Sequence, residues 1–200
     1  MTSCRVCGSE TLNGHHDLCL SCFRSKGSKK ESVTSQEENG LSGEELNFRY
    51  NMIKGRIAET LIEELFLSLG YNVFRYGMEN TVPGILDLLK GMRNDVADNI
   101  RLMPDFVVQR GDKVYFIEVK YRSSEEYSIA DLPSNYPYEN TYFVIVSKKH
   151  IKCISFWELK AGMEISPSSK NYLGYRKEFK LDRQTIIDFC DFAVTFFERT

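Results

Sequence analysis

Apolar residues recur at helical spacing between Glu45 and Leu69. Ile53, Ile57, Leu61, Ile62, Leu65, Phe66 and Leu69 follow the i, i+4, i+7 pattern of an amphipathic helix, and Gly70 stands where such a helix ends. The period then changes. "YNVFRY" (Tyr71 to Tyr76) reads as a strand, and residues 84–100 return to a helical stripe of Ile85, Leu88, Leu89, Met92 and Val96. "MPDFVVQRGDKVYFIEVKYR" (Met103 to Arg122) has β-branched and aromatic runs on either side of Gly111-Asp112, a hairpin signal. A Ser-, Pro- and Tyr-rich connection from Ser123 to Asn140 begins with a short helix. "TYFVIVS" and "IKCISFW" (Thr141 to Ser147, Ile151 to Trp157) read as strands, and "LDRQTIIDFCDFAVTFF" closes the chain as a helix. The order is helix, strand, helix, four strands, helix. It predicts an α/β or α+β fold around one central mixed sheet.

The hairpin carries a chemical oddity. With Gly111-Asp112 as the loop, Arg110 faces Lys113, Val108 faces Tyr115, and Asp105 faces Glu118. Two carboxylates opposite each other on one sheet face repel. Lys120, two residues past Glu118, points to the same side. A divalent cation would offset the repulsion, and hard oxygen ligands suit Mg²⁺ or Mn²⁺. A lysine beside the water of such an ion can orient it, so the set fits metal-assisted attack on a phosphodiester. A third acid, Glu59, lies at the flank of the first helix's apolar stripe. Gly55, one turn earlier on that flank, would admit another backbone or a substrate. Glu63 and Glu64 read as solvent-facing.

The first 26 residues have a different character. Four of the six cysteines fall there, as Cys4-x-x-Cys7 and Cys19-x-x-Cys22 with eleven residues between the pairs. Four thiolates at this spacing suit a closed tetrahedral zinc site whose metal supplies the folding energy of so short a segment. Two disulfides are the alternative, which an intracellular setting disfavours. His15 and His16, between the pairs, are assigned to the surface. The segment resembles zinc ribbons and related treble-clef-like modules, which bind nucleic acid or protein, or brace a neighbour. Residues 27–44 are polar and rich in Ser, Glu and Gly, a linker composition. The expected organisation is a zinc module at 1–26, a linker at 27–44 and a second domain at 45–200. Cys153 and Cys190 stand in apolar surroundings and read as small buried hydrophobes.

Charge constrains the partners. The formal net charge is −2, which does not advertise a nucleic-acid binder, so any such surface must be a local patch. Candidates for tracking phosphates are Lys54 and Arg56 on the first helix, Arg122 after the hairpin, and Lys148, Lys149 and Lys152 between the last strands. The first 30 residues hold five basic residues against two acidic ones, a local +3. Tyr127, Tyr136 and Tyr138 could stack on bases or pack over the sheet. No apolar run approaches the roughly 20 residues of a membrane span, and "MTSCRVCGSE" is unlike a secretory signal. The expectation is a soluble, cytoplasmic protein.

"GRIAETLIEELF", "MPDFVV" and "IEVKYR" together resemble the PD-(D/E)XK nucleases, the restriction-endonuclease-like superfamily. The matching positions are Glu59, Pro104-Asp105 and Glu118-Val119-Lys120, and the resemblance covers roughly residues 45–157. It implies a mixed four-stranded sheet flanked by helices. It also implies Mg²⁺ held by Asp105, Glu118 and the Val119 backbone carbonyl, with Lys120 activating water and Glu59 completing or orienting the site. "KGRIAETLIEELFLSLGYNVFRYG" is also similar to the opening of archaeal Holliday-junction resolvases. The chain departs from those by a longer segment between Glu59 and Asp105 and by its cysteine module. The resulting expectation is a Mg²⁺- or Mn²⁺-dependent endonuclease acting on DNA, with a structural Zn²⁺ module for targeting DNA or a protein partner. The superfamily's duplex cutters often work as dimers, which extends the expectation to a homodimer. The alternatives are a non-cutting adaptor on the same fold, and a ribonuclease.

Overall fold

The computed structural model describes residues 2–3, 10–11, 41–78, 82 and 84–198. The chain divides into two units, Met1–Gly43 and Glu44–Thr200. In the first, strand β1 (Thr2–Ser3) pairs antiparallel with β2 (Glu10–Thr11), Thr2 opposite Thr11. Cys4, Cys7, Cys19, Cys22, His15 and His16 lie outside the described residues, as does most of the expected linker.

The second unit opens with helix α1 (Gly43–Ser68). Ala58, Leu61, Ile62, Leu65 and Phe66 are buried, so the apolar stripe faces the core over the last three turns. Ile53, expected on that stripe, is exposed; full burial along α1 begins only at Ala58. Gly70 (φ +77°) reverses the chain: its N–H and that of Tyr71 donate to the carbonyls of Leu67 and Phe66, a Schellman ending.

Five strands follow: β3 (Asn72–Arg75), β4 (Phe106–Arg110), β5 (Lys113–Tyr121), β6 (Thr141–Val146) and β7 (Ile151–Ser155). They form one sheet in sequential order. All neighbours are antiparallel except β5 and β6, which are parallel. The mixed sheet is the one expected. The β4–β5 register is also as expected: Arg110 is opposite Lys113 and Val108 opposite Tyr115, around a turn in which Gly111 has φ +63°.

Side chains alternate across the strands, so the sheet carries two cores. On one face Phe106, Val108, Ile117, Val119, Val144, Ile151 and Cys153 meet α1 and the closing helix, α5 (Arg183–Glu198). On the other, Phe143, Ile145 and Ile154 are covered by Tyr127, Tyr136, Phe156, Leu159 and Ile165. A parallel pair needs a long crossover. Here it runs through residues 122–140 with a single 3₁₀ turn, Ile129–Asp131, later than the short helix expected at the start of that segment.

Two local expectations fail. Residues 84–100 do not form one helix. They form α2 (Ile85–Leu88) and α3 (Asp95–Arg101), separated by Gly91 at φ +81° and by Asn94, whose side chain accepts from the Ala97 N–H and starts the second. The proposed stripe is therefore split, and Leu88, Met92 and Val96 are exposed. The last strand also stops before Phe156 and Trp157. Ser155 and Glu158 form a capping box that opens helix α4 (Phe156–Lys160).

Candidate active site

Asp105 is the last residue before β4 and is buried, 4% exposed. Its carbonyl accepts from the Tyr76 N–H (2.9 Å), extending the β3–β4 pairing, and its carboxylate Oδ2 accepts from the Val119 N–H (2.7 Å). Phe106 pairs with Ile117, so the next step of the ladder sets Asp105 opposite Glu118. A strand residue presents its N–H and C=O along the same edge. The Val119 carbonyl therefore lies on the edge that faces Asp105.

Glu118 and Lys120 share the opposite sheet face from Val119. The Glu118 Oε1 and Lys120 Nζ are 2.5 Å apart. Glu118 Oε2 is buried and has no hydrogen-bond partner among the described residues. A buried carboxylate oxygen left without a donor is costly. Asp105 records the same shortage of positive charge: burial, with Glu118 and then Glu59 adding to it, pushes its carboxyl up to about 8, against the pull of Lys120 and the Val119 N–H. On Lys120, burial works against the charge, but Glu118 and Asp105 outweigh it and hold the ammonium above its usual range. One lysine thus serves two acids.

An open cavity of about 370 Å³ adjoins Lys120, lined also by Glu59 and Gly55 of α1 and by Val119 and Arg122. Glu59 is half-buried. A Cβ built on Gly55 would meet nothing within 4 Å among the described residues, so the glycine fronts open space there. Asn51 also lines the cavity and was missed by sequence reasoning. The signal was available, since Asn51, Gly55 and Glu59 are spaced i, i+4, i+8 along one helix face. Ser123 and Ser124, also on the wall, follow directly on the hairpin.

The residues fit a hard divalent cation by donor type: two carboxylates, one with an orphaned oxygen, and a strand-edge carbonyl. Among the described residues no group of three or more His, Cys, Asp or Glu side chains is gathered as a ready-made metal site. Two acids and a carbonyl would leave the remaining positions to water and phosphate.

The other expected residues divide. Lys54 lies 5.4 Å from the Tyr50 ring and 5.8 Å from that of Tyr121, beside the cavity. The Arg122 N–H donates to the Val146 carbonyl (2.9 Å), which ties the end of β5 to β6. Lys148 is half-buried and Lys149 exposed in the β6–β7 turn; Arg56 is exposed on α1 and does not line the cavity. Glu63 is not simply solvent-facing, because it pairs with Arg75, whereas Glu64 is exposed.

Lys152 corrects the sequence reading: it is 1% exposed and cannot track phosphates. Its ammonium lies 3.1 Å from the Glu125 carboxylate and donates to the Ser166 and Pro167 carbonyls. Tyr127 and Tyr136 resolve to the packing alternative, being buried in the second core with their hydroxyls pushed up by that burial. Tyr138 packs on Phe116 and donates to the Asn99 carbonyl. Cys153 is fully buried, its thiol pushed up to about 12 by desolvation, and Cys190 is half-buried.

No protein-family model matches the chain, and neither curated proteins nor solved structures give a match. Among the described residues no helix is long and apolar enough to cross a membrane.

Proposed function

We propose that the chain is a Mg²⁺- or Mn²⁺-dependent nuclease of the PD-(D/E)XK type that hydrolyses phosphodiester bonds in DNA. The observation that carries this reading is the grouping of Asp105, Glu118, Lys120 and Glu59, with too little positive charge for its acids, and the open cavity that Lys120 and Glu59 line. The order β3-β4-β5-β6, with β6 parallel to β5 and α1 packed on one face, supports the restriction-endonuclease-like core implied by the sequence resemblance.

Asp105, Glu118 and the Val119 carbonyl would hold the ion, which supplies Lewis acidity at a phosphoryl oxygen and offsets developing charge. Lys120, 2.5 Å from Glu118, sits where it can orient a water for in-line attack. Glu59 borders the cavity from α1 and is placed to orient a second water or the ion's hydration shell. Lys54 and Arg122 flank the opening and offer phosphate contacts. The four N-terminal cysteines form a structural Zn²⁺ site, and that module directs the enzyme to DNA or a partner protein. β1 and β2 bracket Cys4 and Cys7 in the chain, which is in keeping with a zinc-knuckle hairpin.

The test is cleavage of linear, single-stranded and branched DNA, and of RNA, by zinc-loaded protein with and without Mg²⁺ or Mn²⁺. Metal-dependent cutting that Glu118→Ala abolishes supports the reading. Absence of cutting on every substrate favours the adaptor alternative, with which the net charge of −2 also agrees.

A further inference from the structure

A second cavity, of about 630 Å³, opens where β7 begins and α5 packs against it. Its floor is apolar, made by Ile151, Ile186 and neighbouring aliphatic side chains. Its wall is aromatic, made by Tyr172 and Tyr175, and its rim carries Lys149, His150 and Arg183. Among the described residues no acidic one lines it, although the chain as a whole is slightly acidic.

The aromatic wall is held rigidly. Tyr172 forms an antiparallel bridge with Lys152 at the sheet edge, and its ring lies 5.2 Å from the His150 imidazole and 5.8 Å from the Lys152 ammonium. Tyr175 stands on a 3₁₀ turn, Leu173–Tyr175, with its ring edge-on to Tyr172 at 5.5 Å. The next residue, Arg176, anchors that turn through the Cys153 carbonyl and the Glu158 carboxylate. Yet Tyr175 itself is 71% exposed. An exposed ring on a clamped turn, beside cationic side chains, is a stacking platform: base–aromatic stacking tolerates any sequence, and the cations meet phosphate.

We propose that this cavity binds an unpaired nucleotide, the base stacking on Tyr175 and the phosphate meeting Lys149 and Arg183. The position connects it to the first cavity. Both lie at the end of the sheet where β5 and β6 finish and β7 begins. Ser124 lines the first, and the next residue, Glu125, holds His150 of the second through a 2.9 Å contact. Residues 122–125 thus connect the Lys120 site to His150, whose ring neighbours Tyr172 and through it Tyr175. The binding step does not require that the chain cut DNA.

The experiment is fluorescence anisotropy on the full-length, zinc-loaded chain with no added Mg²⁺ or Mn²⁺, using a short fluorescein-labelled oligothymidylate. Tyr175→Ala is expected to weaken binding roughly 5- to 150-fold, the range that one stacked base represents. Tyr175→Phe keeps the ring and should bind as wild type. Arg183→Gln should weaken binding and flatten its salt dependence. Competition by thymidine monophosphate distinguishes the sources: equal potency assigns the site to a free nucleotide, and much weaker potency to a nucleotide within a strand. Wild-type affinity in Tyr175→Ala, equal losses in Tyr175→Ala and Tyr175→Phe, or no binding of either ligand by wild type would each overturn the proposal. Cleavage with wild-type binding by Tyr175→Ala would leave the nuclease reading standing without it, and binding without cleavage the reverse.

Discussion

Two groups of buried charge lie within a few residues of each other along this chain, and they are built in opposite ways. Around Glu125 every charge is answered. Its carboxylate accepts from Ser147 Oγ (2.7 Å), contacts His150 Nδ1 (2.9 Å) and pairs with Lys152 (3.1 Å), whose remaining donors reach two carbonyls. Burial alone would raise the Glu125 carboxyl, but those three partners outweigh it and hold the carboxyl below its usual range. The residue even accepts a left-handed backbone (φ +58°), a strain tolerated where the surroundings fix it. Around Asp105 and Glu118 the accounts do not balance. One lysine faces two acids, one carboxylate oxygen has no donor among the described residues, and Asp105 is driven up instead of down. A satisfied network braces a fold. An unsatisfied one beside an open cavity has room for one more cation.

The largest effect that could break this contrast is on catalysis. Lys120→Ala should lower the metal-dependent cleavage rate by about 10²-fold or more, the scale of a lost acid–base or water-positioning group, while Mn²⁺ and DNA affinities stay near wild type. Glu118→Ala should lose Mn²⁺ affinity as well as cleavage. Single-turnover rates and a metal titration on both variants separate the two roles, and wild-type cutting by Lys120→Ala would remove the lysine from the mechanism.

Next in size is stability. Glu125→Ala leaves Lys152 charged, buried and without its acid, and should cost about 3–5 kcal/mol in urea denaturation. Asp105→Asn in metal-free protein should cost little, since the amide, like the protonated carboxyl, carries no charge beside Glu118 and its oxygen still accepts from Val119. Similar losses in both variants would mean that the two clusters do the same job.

The hairpin was legible because a two-residue loop at Gly111-Asp112 leaves one register that buries Val108 and Ile117, and that register carries Asp105, Glu118 and Val119 with it. Glu59 was legible from its place at the edge of a helical stripe. Lys152 was not, because its acid lies 27 positions earlier in a crossover and no local pattern joins them; flanked by Ile151 and Cys153, it looked like one more outward lysine. The break between α2 and α3 was missed because the apolar spacing ran straight across Gly91, and a left-handed glycine leaves no mark on periodicity. The capping box at Ser155 and Glu158 was readable as S-x-x-E, but the apolar run "ISFW" hid it.

The dependence on pH is opposite in sign for the two clusters. The Asp105 carboxyl has its folded value raised from 3.8 to about 8, so the metal-free fold holds a proton that the unfolded chain has lost between those limits. Its contribution is fully present at low pH and declines as pH rises from about 4 to about 8. Glu125 is depressed below 4.5, so its contribution is present above that value and is lost as pH falls through the lowered one. Thermal melts across pH should show the first slope vanish in Asp105→Asn. An unchanged slope in that variant would place the titration elsewhere.

The most direct test is calorimetric titration of Mn²⁺ into zinc-loaded protein near pH 6.5, in two buffers of different ionisation enthalpy. An Asp105 that holds a proton in the metal-free state must release it to bind the ion. The expected result is saturable binding with net proton release, lost in both Glu118→Ala and Asp105→Asn. No saturable binding by wild type, or identical titrations for wild type and both variants, would contradict the assignment of this cluster as a metal-dependent catalytic centre.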